Sequence, residues 1–196
     1  MRKMTICMLL ALCMLFLVQI PAMAAPGPDG FANVPWGASR DRVDSAMKAQ
    51  GFVYGGQDVK YGIDRVWYRG QMAGITGGII MSLLNGAFYE GEFVILTQDG
   101  LSVTWNAFRT FNNIIEQKYG APSSQGGDDD IRKYRWHVWQ FLQPPDSSDN
   151  IKISLYFTDF GKQKMNDGSI IISHCTLNYS NLSLEKRLAV QKRDGL

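Results

Sequence analysis

The sequence predicts an α+β fold: two helix-plus-antiparallel-strands halves forming a two-layer sandwich, with the helices on one face of the sheet. Three observations carry this expectation. Two stretches space their apolar residues at i, i+3, i+4, as amphipathic helices do: Val43, Ala46, Met47, then Phe108, Phe111, Ile115. Each is followed by β-branched and aromatic runs broken by turn residues. The order helix, strands, helix, strands, helix then reads as a duplicated module, and an antiparallel sheet under helices buries both kinds of apolar surface. The halves span about 31–100 and 101–180, with a C-terminal helix at 183–193.

The elements follow in order. Met1 to Ala24 reads as a signal peptide. Arg2 and Lys3 precede an uncharged apolar run, Met4 to Ile20, and Ala22-Met23-Ala24 is a small-x-small cleavage site. A membrane anchor is the rival reading, but the run is about 17 residues, near the lower limit for a spanning helix, and Pro21 favours cleavage. A lipoprotein needs a small residue before its cysteine; Leu12 precedes Cys13. Cleavage near Ala24 places the mature chain in the periplasm or outside a bacterial cell.

Cleavage changes the totals. The chain carries 20 Lys+Arg against 18 Asp+Glu; without Arg2 and Lys3 the count is even. A neutral chain offers no electrostatic case for nucleic acid. Cys7 and Cys13 leave with the leader, so Cys175 has no intramolecular disulfide partner. Its expected place is in the core, as a small apolar residue.

Residues 25–30 (APGPDG) read as a linker with little capacity to order itself, and 31–196 as one domain. Phe31 to Gly37 lies extended. Ser39 caps a helix running to Ala49 or Gln50, and Gly51 suits the left-handed position that ends it. Phe52–Tyr54, Arg65–Arg69 and Gly78–Leu84 are strands. Asn85-Gly86 predicts a type I′ hairpin joining Ile79–Leu84 to Ala87–Leu96. Thr104 caps a helix to Tyr119, closed by Gly120 and Pro122. Ser123 to Asp130 reads as a polar loop. Lys133–Leu142, the alternating run from Ile151 to Thr158, and Ser169–Tyr179 complete the strands. Ser183 caps the last helix.

Phe31 to Gly51, with Trp36-Gly37-x-Ser39, Val43 and Gly51, and the helix end Lys118-Tyr119-Gly120-Ala121-Pro122, resemble small exported bacterial α+β proteins. The plan is similar to the SmpA/OmlA (BamE-like) domain and to the doubled β-lactamase inhibitory protein module. The resemblance implies contact with another envelope protein rather than catalysis.

Candidate chemistry is sparse. His137 and His174 are expected to point away from the core face and to meet on the sheet, but a third metal ligand is missing. Asp128-Asp129-Asp130, and Asp146, Asp149 and Asn150, lack the alternating ligands of a calcium hand. Gly74-Ile75-Thr76-Gly77-Gly78 lacks the Lys-Ser/Thr of a phosphate loop. Cys175 and His174 are neighbours on a strand, so their side chains diverge. No cofactor is expected and no catalytic set converges.

The aromatics remain. Trp67, Tyr68, Trp136, Trp139, Phe141 and Tyr156 mostly fill the core. Trp136, Trp139, Phe141 and Tyr156 are the candidate interaction surface. Lys186, Arg187, Lys192 and Arg193 offer a weak peripheral contact with anionic lipid. The expectation is a non-catalytic protein-binding module. A structural outer-membrane assembly factor is the alternative, and a hydrolase or metal-binding protein is less favoured.

Overall fold

The computed structural model describes residues 27–97, 101–127, 134–142, 150–164 and 170–193. The residues expected to form the signal peptide, the run Asp128–Asp130, the stretch Pro144–Asp149 and the tripeptide Asn166-Asp167-Gly168 lie outside the described residues. The elements are β1 (Gly30–Phe31), β2 (Val34–Pro35), α1 (Arg40–Ala49), β3 (Val53–Lys60), β4 (Ile63–Met72), β5 (Ile75–Leu84) and β6 (Ala87–Thr97). They continue with α2 (Leu101–Tyr119), β7 (Ser124–Gly127), β8 (Tyr134–Leu142), β9 (Asn150–Lys164), β10 (Ile170–Asn181) and α3 (Leu182–Arg193).

Strands β3 to β10 form a single antiparallel sheet in the order β3-β4-β5-β6-β10-β9-β8-β7; β1 and β2 form a separate hairpin. This overturns the expected α+β sandwich of two helix-plus-strands halves. Strand dominates the described residues, and the sheet has no internal boundary. The reason is at its centre, where Glu90–Thr97 of β6 pair with Ser173–Ser180 of β10 without a break. Pairing of this length uses the backbone groups that two separate sheets would leave at their edges.

The helices do not share one face either. Val43 and Met47 of α1 and Phe108, Phe111 and Ile115 of α2 join one core with Val66, Ile79, Met81, Phe93, Phe157 and Leu177 of the sheet. Helix α3 instead sets Leu184 and Leu188 against Ile63, Leu84, Ala87 and Tyr89. Ile63 pairs with Leu84, and Leu84 alternates with Leu83 and Met81 of the core, so α3 sits on the opposite face. We call the side covered by α1 and α2 the helix face and the other the open face.

Helix α1 ends in a Schellman motif. Gly51 takes φ +80°, its N–H donates to Lys48 O at 3.0 Å, and the Phe52 N–H donates to Met47 O at 3.0 Å. Ser39 holds the extended N-cap conformation, but its side chain makes no capping bond. A polar network ties α1 to β4. Arg40 Nε donates to Asp44 at 2.9 Å, Arg40 also reaches Asp64 at 3.3 Å, and the Tyr68 hydroxyl donates to Asp44.

Helix α2 starts at Leu101, a turn before the expected cap. Thr104 lies inside it, fully buried; its hydroxyl lies 3.3 Å from Leu101 O and shares a 2.7 Å hydrogen bond with Ser173 Oγ. Gly120, at φ +83°, follows the helix as expected. The expected loop from Ser123 contributes edge strand β7. Residues 27–30 are packed rather than loose: Pro28 is buried and its carbonyl accepts from Trp36 Nε1 at 2.9 Å.

Candidate functional site

The open face is built by strand alternation. Three rows of paired residues cross it. Trp136, Tyr156, Thr176, Val94, Gly78 and Arg69 form one. Val138, Ser154, Asn178, Glu92, Ile80 and Trp67 form the next, and Gln140, Lys152, Ser180, Glu90, Ser82 and Arg65 the third.

Two tryptophans flank these rows, each seated on a glycine of an edge strand. Trp67 of β4 pairs with Gly56 of β3, where a Cβ would lie 2.6 Å from the indole Nε1. Trp136 of β8 pairs with Gly126 of β7, where a Cβ would lie 2.9 Å from the ring. A bare glycine lets a neighbour's indole lie over the backbone, which covers the edge and fixes the ring. Five strand spacings separate the two, about 24 Å.

Between them lie two depressions. One, of about 580 Å³, is largely apolar and lies among Trp67, Arg69, Gly78, Ile80, Val94 and Leu96. Leu96 is 58% exposed there. The other, of about 430 Å³, is polar, with Glu90, Glu92, Lys152, His174, Asn178 and Glu185 among its lining residues. Asn178 Nδ2 donates to Glu90 Oε1 at 2.9 Å. Burial holds the Glu92 carboxyl above its ordinary pKa; Glu90 adds to this and Arg65 opposes it. Burial and then Glu90 do the same to Glu185, against Lys186. Burial lowers His174. The polar depression therefore sets the partly buried carboxyls of Glu92 and Glu185 in one lining with Lys152.

The candidate aromatics divide between the faces. Trp136 and Tyr156 are cross-strand partners on the open face. Trp139 and Phe141 are on the helix face. Trp139 is 2% exposed and donates Nε1–H to Gly120 O at 2.9 Å; Phe141 meets Tyr119 edge-on at 5.0 Å. The four do not form one surface. The histidines do not meet: His137 packs against Phe108 and hydrogen-bonds Asn112 on the helix face, whereas His174 lines the polar depression. Burial lowers the pKa of His137.

Cys175 is fully buried, and burial pushes its thiol up to about 12. Gly74 belongs to the β4–β5 turn, and Gly77 and Gly78 to β5. Among the described residues no three His, Cys, Asp or Glu side chains gather as metal ligands. No described helix is long and apolar enough to cross a membrane. Sequence reasoning missed Glu90, Glu92 and Asn178. The signal for the two glutamates was Glu-x-Glu at strand period within an otherwise apolar run, which puts both carboxylates on one face.

No protein-family model, curated protein or solved structure matches the chain.

Proposed function

We propose that this is a non-catalytic protein-binding module of the bacterial envelope, exported by its leader, that takes its partner on the open face of the sheet. The observation that carries the reading is the pair of indoles, Trp67 and Trp136, held over edge glycines on either side of an apolar depression and a polar one. Interfaces concentrate their energy in ordered aromatic anchors inside a polar rim. The accessible side chains of this face include Trp67, Ile80, Val94, Leu96, Trp136 and Tyr156, while Ser82, Ser154, Thr176 and Ser180 between them are buried. The resemblance of Phe31–Gly51 to exported envelope proteins points the same way.

The test is site-specific photo-crosslinking in the exporting cell. A photoreactive residue at Trp136 or Leu96 should give one discrete adduct with another protein. The same residue at Asn113, exposed on α2, should give none. Adducts of equal yield from all three positions, or from Asn113 alone, would exclude the open face as the docking surface.

A further inference from the structure

The helix face has a cleft of its own, independent of the open-face reading. We propose that the cleft between α1 and α2 binds a monomeric single-chain amphiphile with an anionic headgroup, of the fatty-acid class.

Three observations converge. The cleft measures about 830 Å³, and Phe31, Phe52, Met72, Phe111, Leu177 and Tyr179 are among its lining residues. That is within the size range of small-molecule sites, and apolar and polar groups share its surface about equally. Its charged lining is cationic in balance: Arg42 from α1 and Lys118 from α2 against Asp29. Among the described residues neither cation has a carboxylate within 4.0 Å. Lys118 Nζ lies 5.1 Å from the ring of Tyr119, another lining residue. Ile114, 45% exposed, extends the apolar wall one helical turn before Lys118.

The third observation is the wall opposite. The tip of the β1–β2 hairpin, Ala32-Asn33, lines the cleft with both residues left-handed, at φ +48° and +58°. Outside glycine this conformation is strained, and alanine has no side-chain group to offset it. Gln50 holds the tip in place: its Nε2 donates to Ala32 O at 2.7 Å, and Asn33 Nδ2 donates to its Oε1 at 3.3 Å. A wall fixed in this way is ordered before a ligand arrives, which lowers the entropic cost of binding. The apolar part of the lining favours an alkyl chain, and the two cations against Asp29 favour an anionic head over a cationic or neutral one. A carboxylate on an alkyl chain satisfies both.

The experiment titrates the purified protein with dodecanoate and with dodecyltrimethylammonium, each below its micelle concentration, by isothermal calorimetry. Dodecanoate should bind one to one, at least tenfold more tightly than the cation. Arg42→Glu/Lys118→Glu should remove that preference, and Arg42→Gln/Lys118→Gln should reduce it. Ile114→Asp should weaken dodecanoate about tenfold. All the altered residues are exposed, and unchanged far-UV circular dichroism verifies the fold. Equal affinity for the two headgroups, or dodecanoate affinity unchanged by the charge reversal, would overturn the proposal. So would binding to phosphatidylglycerol vesicles with none to monomeric dodecanoate. Photo-crosslinking at Trp136 reads the other face, so the two proposals fail separately.

Discussion

Glu92 pairs with Asn178 on one side and Ile80 on the other, and its carboxyl is half-buried beside Glu90. Burial and Glu90 raise its pKa above the ordinary 4.5, and Arg65 only partly compensates. A raised carboxyl pKa means the folded state holds the proton more tightly than the unfolded state. Stability is therefore lost as pH rises from 4.5 through the folded-state value, and the loss is complete above that value. Glu92→Gln removes the ionisation. It should raise the urea midpoint at pH 7, and the gain should fade as pH falls towards 4. A variant less stable than the parent at pH 7 would show that the carboxylate is held by favourable contacts instead. A residue that weakens the fold when charged, on the face that α3 covers only in part, fits a surface meant to meet something else. The sequence carried the Glu-x-Glu alternation but not the burial. Burial depends on which strands flank β6, and β10 lies some eighty residues further along the chain.

At the scale of elements, strands β3 to β6 are joined by three turns of one kind. Lys60 pairs with Ile63, Met72 with Ile75 and Leu84 with Ala87, leaving two residues in each loop. Tyr61-Gly62, Ala73-Gly74 and Asn85-Gly86 all have positive φ at both positions, as type I′ hairpins require. Asn85-Gly86 was legible because asparagine tolerates the left-handed conformation. The other two were hidden because tyrosine and alanine do not advertise it, and β3, β4 and β5 run longer than side-chain pattern alone suggests. Strand β7 was hidden for a related reason. Ser124 to Gly127 has no apolar period, and Trp136 supplies its cover from the next strand. The apolar stripes of α1 and α2 were legible. The face chosen by α3 was not, since Leu184 and Leu188 suit either side of a sheet. Ala73 is exposed and left-handed at φ +51°. Ala73→Asn should therefore stabilise the protein by about 0.5–1 kcal/mol, read as a shift in the urea midpoint at unchanged slope. No shift would mean that the turn is already relaxed.

For the whole molecule, the decisive feature is the β6–β10 pairing and the helix across it. Strands β3 to β6 are local in sequence, and so are β7 to β10; backbone bonds between β6 and β10 join the two sets. Helix α2 contacts β6, β9 and β10, spanning that join. Phe111, 2% exposed, meets Phe93 of β6 edge-on at 5.5 Å, and Phe108 approaches Phe157 of β9 at 6.3 Å. A core shared in this way should unfold as one body, because once α2 leaves, β9 and β10 lose the helix that covers them on this face and the β3–β6 set, under α1, loses the Phe111 ring from its core. Phe111→Ala removes a ring between the two sets and should cost about 3–5 kcal/mol. Hydrogen exchange separates one body from two. Amides of β4 and β9 should share the same highest opening free energy in the parent, and in the variant both should fall by the same amount. If the β4 amides kept their protection while those of β9 lost it, the sheet would be two cooperative units, and its continuity across β6 and β10 would be a matter of hydrogen bonding alone.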